Sequence, residues 1–279
     1  MRRESAFRRI LRALLATAVG VLWILPFVGV VAGSLRPYAE IVNGWWRLDE
    51  FSLTLKNYRT VTSGMSIPMM RSLWNSFFTS VLGAAFPALF GSMAAYAFAR
   101  HWIPGKSLAI VVILSLMAIP GQMIAIPAFK ILNGLGLLDR FASVVVMNTA
   151  TALPWIIFFM LNVIKGQDLN IEEAAKIDGA SDYWIFARVV LPQSYPALVS
   201  VGILQFVWSW DSFFWPLVCI FDPRKFMATQ VIPMLKGQFI QDWGALCAAS
   251  VLVVAVPVIL FVAFQKYYIA GSVGFVGDK

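Results

Sequence analysis

The chain has 279 residues, 60% of them hydrophobic and only 13% charged, with 22 Phe and 11 Trp. A soluble domain is roughly 45–50% apolar and about 25% charged, so the composition excludes an ordinary water-soluble globule and makes lipid the solvent for much of the surface. The net charge of +8 comes without a basic run beyond the N-terminal arm, which argues against nucleic acid, and two cysteines with a single histidine, His101, leave no zinc-binding set and no Cys–His nucleophile pair.

In chain order, residues 1–12 form a basic arm carrying Arg2, Arg3, Arg8, Arg9 and Arg12. The apolar stretch 13–35 follows. It exceeds the roughly 7–15 residues of a signal-peptide core, and Ala32-Gly33-Ser34 is a poor cleavage site, so it reads as a retained first helix. Further charge-poor stretches run 72–99, 107–129, 141–164, 196–220 and 243–265. Each is long enough for the roughly 20 residues that cross a bilayer, and none shows the polar stripe of a soluble amphipathic helix.

The pattern predicts an all-α membrane protein with six transmembrane helices in one domain, 13–271, and a short tail, 272–279. The basic arm places the N-terminus in the cytoplasm by the positive-inside rule, and six spans return the C-terminus to the same side, N-in/C-in. Pro26, Pro87, Pro120, Pro127, Pro154 and Pro257 fall inside spans and are expected to kink them. Cys219 and Cys247, both at outward span ends, read as two free apolar thiols, with a disulfide between them as the alternative.

Three connections are long: 36–71 and 222–242 on the outer side and 165–195 on the inner. A plain bundle needs none of them, so partners are expected at both faces. In the inner loop, Asn170 can cap a helix with Glu173 reaching back to it, and Ala174 and Ala175 are small and helix-forming. Gly179 stands where a helix can end by turning left-handed. Ser181 or Asp182 can cap a second short helix containing Trp184, Ile185, Phe186 and Val189, with Pro192 as its stop. Two short helices joined by a glycine corner suit helix-in-groove docking through Ile171 and Ile177, and equally an interfacial pair that merely connects two spans.

The run Glu173-Ala174-Ala175-x3-Gly179, continued by Asp178-Gly179-Ala180, Phe186, Leu191-Pro192 and Pro196, resembles the EAA loop of ABC-importer permeases, in particular the carbohydrate-uptake group that includes the maltose permease subunits. Val189 stands where that family more often has isoleucine. Asn75-Ser76, Ala95-Tyr96-Ala97-Phe98-Ala99-Arg100, Ile119-Pro120, Gly134-Leu135-Gly136-Leu137, Trp208-Ser209-Trp210-Asp211, Trp215-Pro216-Leu217 and Asp242-Trp243-Gly244 are similar to the MalG-like member of the pair, so the likeness spans roughly 10–271.

The resemblance implies a multi-pass permease subunit of the bacterial inner membrane with no ATPase of its own. Gly105-Lys106-Ser107 agrees, because a phosphate-binding loop would need glycine at position 100, which is Arg100. ATP and magnesium would be bound by partner ATPase subunits and no cofactor by this chain. The implied partners are a second six-span permease subunit forming a heterodimer, two ATP-binding subunits and an extracytoplasmic solute-binding protein. Glu172, Glu173, Ala174, Ala175, Asp178, Gly179, Ala180, Leu191 and Pro192 would form the ATPase-coupling loop, with Glu173 pairing a basic group of the ATPase. Arg224, Lys225, Gln230 and Gln238, in the outer loop before the last span, would meet the binding protein.

Polar groups within spans are candidate linings of a path: Asn75, Gln122, Asn148 and Gln205, with Trp208, Trp210 and Asp211, the one carboxylate inside an expected span. Amides within spans also tie helices together, and tryptophans also mark the lipid interface. The solute is expected to be a sugar. Alternatives are a permease of the same kind for glycerol phosphate or another polar solute, or a secondary transporter, which would show an internal repeat and a charged relay that this sequence lacks.

Overall fold

The computed structural model describes residues 6–47, 49, 52–64, 67–235 and 242–273. Among these there are helices and turns and no strands. The chain forms two compact units, one drawn from residues up to Met70 with Val231–Ala255, the other from Arg71–Gln230 with Val256 onward.

Four helices are long and apolar enough to cross a membrane: α1 (Ala6–Ser34), α4 (Met69–Arg100), α7 (Phe141–Lys165) and α14 (Trp243–Val273). Two bent pairs bring the candidate spans to six. In the first pair, α5 (Lys106–Leu116) and the run Gly121–Gly134, a 3-10 turn leading into α6 (Ala125–Gly134), meet at 98°. The expected straight span 107–129 is therefore broken. Pro120 is extended, at φ −59° and ψ 129°, and the adjoining Gly121 adds freedom, so the helix stops where only a kink was expected.

The second pair is Asp182–Gln193 with α11 (Tyr195–Trp210), bent by 79°. The expected span 196–220 is also interrupted: α11 stops at Trp210 and α12 covers only Phe214–Cys219. Pro216 accounts for the gap, because in a continuous helix its ring would crowd the Ser212 carbonyl. That carbonyl instead accepts a hydrogen bond from the Thr229 hydroxyl at 3.0 Å. Asp211, expected inside the span, thus sits exposed at a helix end.

In the first unit, the end of α1 is closed by side chains. Asn57, on the short helix α3 (Lys56–Arg59), donates to the Ser34 and Arg36 carbonyls at 3.0 and 2.8 Å, and the Tyr58 and Ser34 hydroxyls pair at 2.8 Å. Arg36 is fully buried; it ion-pairs with Glu40 of α2 (Tyr38–Gly44) and donates to the Trp45 carbonyl at 2.7 Å. A Cβ at Gly33 would sit tightly against the Cys247 sulfur at 3.0 Å, and one at Gly244 would collide with the Asn57 amide at 2.6 Å.

The second unit has two cores. One joins Ala95 and Tyr96 of α4 to Ile156, Met160 and Ile164 of α7 and to Ile185, Phe186 and Val190. The other joins Leu132, Val144, Met147, Trp215, Cys219 and Met227. Cys219 and Cys247 are both free. Gly91 seats α4 on α7, since a Cβ there would lie 2.6 Å from Ile156 Cγ2. Ile156 is β-branched and fully buried, so it cannot swing aside. We expect Gly91→Ala to cost about 1–3 kcal/mol by overpacking, measured as a lowered thermal midpoint in detergent, while Gly105→Ala, at a φ of +70° with open space around it, acts only through backbone strain.

Candidate functional site

The loop 165–195 builds its shape from local chemistry. Asp168 is the N-cap of α8 (Leu169–Ile177): its carboxylate accepts from the Asn170 amide N–H at 3.0 Å and the Asn170 side-chain N–H at 2.8 Å. The cap expected at Asn170 therefore falls two residues earlier, and Asn170 lies inside the helix. At the other end Asp178 is the C-cap and Gly179 turns left-handed at φ +87°. The Ala180 N–H reaches the Ala175 carbonyl and the Gly179 N–H that of Lys176, each at 3.0 Å. This pair of bonds is the Schellman closure that a glycine at this position permits.

Ser181 caps the next helix by accepting from the Trp184 N–H. That helix does not stop at Pro192 as expected. It runs as α9 (Asp182–Ile185), a wide π turn over Phe186–Val190 and a last turn, α10 (Leu191–Gln193), and ends at Ser194. The residue four before Pro192 is Arg188, inside the π turn, where the wider spiral relieves the usual clash between proline ring and carbonyl.

The faces of this helix pair differ. Glu173, Ala174, Asp178 and Pro192 are exposed, and Ile177 is 87% exposed. Ala175, Ala180 and Leu191 instead pack against the core that holds Ile185, Phe186 and Val190. Glu172, grouped by sequence with the coupling residues, is turned inward and is only 4% exposed. Its carboxylate receives the Arg100 guanidinium, with Nε at 2.9 Å and Nη2 at 2.7 Å. Arg100 also donates to the carbonyls of Ile164 at 2.7 Å and Gln167 at 3.4 Å, at the end of α7. Gln167 in turn donates to the Ser194 hydroxyl at 2.8 Å. Sequence reasoning noted Arg100 as the residue that spoils a phosphate loop and as the end of the run 95–100.

Farther along α7 and α11 lies a cleft of about 230 Å³. Asn148, Thr151, Ala152 and Trp155 line it from α7; Gln205, Trp208, Ser209 and Ser212 line it from α11 and its end, with Trp215 beside them. Asn148 donates to the Ser209 hydroxyl at 2.7 Å, Trp155 to the Gln205 amide oxygen at 3.3 Å, and Gln205 to the Gly83 carbonyl at 3.3 Å. The Trp155 and Trp208 rings meet edge to face at 5.0 Å. Three sequence candidates, Asn148, Gln205 and Trp208, thus converge. The other lining residues follow from them at spacings of three, four and seven, one helix face on each side; reading that periodicity from Asn148 and from Gln205 would have found Thr151, Trp155 and Ser212.

The remaining candidates lie apart from the cleft. Trp210 is buried, stacked on Phe206. Gln122 is exposed in the 3-10 turn after Pro120, and Asp211 is exposed at the end of α11. Asn75 donates to the carbonyls of Arg224 and Phe226 at 3.2 and 3.0 Å.

The segment after α12 was expected to meet a binding protein through Arg224, Lys225, Gln230 and Gln238, and part of it folds inward instead. Gln230, on α13 (Ala228–Met234), is buried: its amide donates to the Pro216 carbonyl at 3.3 Å and accepts from the Met227 N–H at 3.0 Å, so it is no surface contact. Arg224 does point out, its side chain 78% exposed while paired with Asp222. Lys225 is engaged by the Asp139 carboxylate and carbonyl, each at 2.7 Å. Gln238 lies outside the described residues.

Asp139 is held in the left-handed region at φ +56°. Its carboxylate also accepts from the Asp222 and Phe221 N–H groups, and with the Lys225 ammonium these hold its pKa at about 2. The unfolded value is about 3.9. Stability from this carboxylate is therefore full above that value and is lost as pH falls through about 2. Hydrogen exchange should show the Phe221 and Asp222 amides protected above pH about 4 and released toward pH 2. Asp139→Ala should release them at neutral pH, at a cost of about 1–2 kcal/mol after solvent screening is allowed for.

Comparison with known proteins places this geometry. Residues 87–271 match the family described as "binding-protein-dependent transport system inner membrane component". The chain is 44% identical over 266 residues to a probable ABC transporter permease protein of Pyrococcus horikoshii, covering 95% of this chain and 96% of that one. It is 34% identical to the alpha-glucoside transport system permease protein AglG of Rhizobium meliloti, covering 78% of this chain and 58% of that one. Its fold is similar to a chain in the crystal structure of a bacterial ABC transporter that imports the acidic polysaccharide alginate, with TM-score 0.83, 22% identity, and 96% and 99% of the two chains covered.

Proposed function

We infer that this chain, which belongs to the family of inner-membrane components of binding-protein-dependent transport systems, is a permease subunit of an ABC importer for a sugar or oligosaccharide. It would be a non-catalytic, six-span subunit of the cytoplasmic membrane with N-in/C-in topology. A second permease subunit would complete the heterodimer, two ATP-binding subunits would drive it, and an extracytoplasmic binding protein would deliver the solute, with Arg224 the best-placed contact for it.

The observation that carries this reading is the two-sided helix pair after α7. Its outer face offers Glu173, Ala174 and the 87% exposed Ile177 to a partner. Its inner face is hydrogen-bonded and packed into the spans. A push on such a loop reaches the bundle instead of being absorbed as local bending. Ala174 leaves room for a groove to close on the backbone, Glu173 supplies a carboxylate for a basic group, and Gly179 allows the corner.

The cleft supports the substrate class. Its lining combines indole faces with amides and hydroxyls and contains no ionisable side chain. Indole faces suit the C–H faces of a sugar ring, and fixed amides and hydroxyls suit its hydroxyl edges. A phosphate or carboxylate would enter with no basic side chain to meet it, which favours a neutral sugar over glycerol phosphate. Alternating access would carry the solute past this cleft as α7 and α11 move with the loop.

In the assembled transporter, Glu173→Lys and Gly179→Val should lower uptake by about tenfold while ATP hydrolysis continues. Normal uptake by either variant at wild-type expression would remove the docking reading. Trp208→Ala should raise the KM for the transported sugar by about 3- to 10-fold, the worth of one aromatic contact, with little change in kcat; an unchanged KM would place the path elsewhere.

A further inference from the structure

The reading of 165–195 as a driven loop leaves open how displacement of α8 reaches the spans. Helix α8 is short and begins only a few residues after α7, and its apolar attachment to the core is made by a small side chain, Ala175. The attachment with fixed geometry is polar. Arg100, the last residue of α4, is 7% exposed in its side chain and Glu172 is 5% exposed. The guanidinium is planar, and its donors engage α8, α7 and the connector between them: Nε and Nη2 hold Glu172 of α8, and Nη2 holds the Ile164 carbonyl of α7 and, more weakly, that of Gln167. Gln167 then joins the Ser194 hydroxyl, immediately before α11.

A buried ion pair of this kind adds little net stability, because desolvation offsets its attraction; what it supplies is a defined geometry. The three spans that it joins are those around the cleft. Helices α7 and α11 line it, and α4 touches it through Gly83, whose carbonyl accepts from Gln205. A lysine could not replace the joint, since a point charge lacks the fork that binds a carboxylate and a carbonyl in one plane.

We propose that Arg100 is a positioning residue for transport: its pairing with Glu172 is the joint through which movement of the coupling helix is passed to α4 and α7. This rests on the reading of 165–195 as the ATPase-driven loop, and it assigns the inward Glu172 a different duty from the outward Glu173. The joint would act on the coupling ratio, not on nucleotide chemistry or on solute affinity.

The test uses the complete transporter in proteoliposomes, with sugar uptake and ATP hydrolysis measured on the same preparation. Arg100→Gln, Glu172→Gln and Arg100→Lys are each expected to assemble and hydrolyse ATP, with sugar transported per ATP reduced about 3- to 30-fold. The double variant Arg100→Gln with Glu172→Gln should be no worse than either single one, because both act through one contact. An unchanged ratio in the single variants would overturn the proposal. So would loss of assembly in Arg100→Gln combined with full coupling in Arg100→Lys, since the pair would then be a folding clamp that any cation satisfies. Glu173→Lys is run alongside. If it uncouples while the Arg100 variants do not, the joint alone fails; if neither affects the ratio, the driven-loop reading fails with it.

Discussion

Where a helix stops inside the folded protein, its last carbonyls lose their helical partners and, once shut off from water, need a donor from the protein. The chain interrupts its helices repeatedly, and a side chain answers at several of these ends. Asn57 serves the end of α1, Arg100 the end of α7, Thr229 the Ser212 carbonyl beyond α11, and Gln230 the Pro216 carbonyl of α12. One of the polar residues that a sequence reading takes for a path lining, Asn75, belongs to this internal supply. It stands on a span, and its side-chain amide donates to two carbonyls of the segment 224–226.

That constraint also explains which expectations held. The four uninterrupted spans were legible because length and apolarity alone mark them. The Gly179 corner was legible because a left-handed turn has few alternatives to glycine. The two broken spans were not, although their prolines were visible. Pro26, Pro87, Pro154 and Pro257 lie inside intact helices. Pro120 and Pro216 mark interruptions. At Pro216 the difference is a tertiary donor, the Thr229 hydroxyl on the Ser212 carbonyl, which a hydropathy pattern does not carry.

The site was half legible for a similar reason. Asn148, Gln205 and Trp208 drew notice by residue type, but Thr151 and Ser212 are ordinary in membrane helices and acquire meaning only by facing those three across the cleft. Gln230 drew notice by position in a loop, and the loop turned out to fold inward. Arg100 was invisible because its partner lies 72 residues away. The sequence grouped Glu172 with Glu173 in the coupling loop and gave a role only to Glu173; burial shows Glu172 turned the other way.

The opposed directions of Glu172 and Glu173 carry a consequence for the length of the connector that precedes them. Successive residues on an α-helix differ in azimuth by about 100°. Only the short stretch from Gly166 to Asp168 separates α7 from α8. One inserted or deleted residue there would rotate the helix enough to carry one carboxylate away from the guanidinium and aim the other nowhere useful. Spacing at this point therefore behaves like a reading frame: a side chain on the partner-facing side can be exchanged without moving the helix, but a change in the count of residues between α7 and the two glutamates turns both of them.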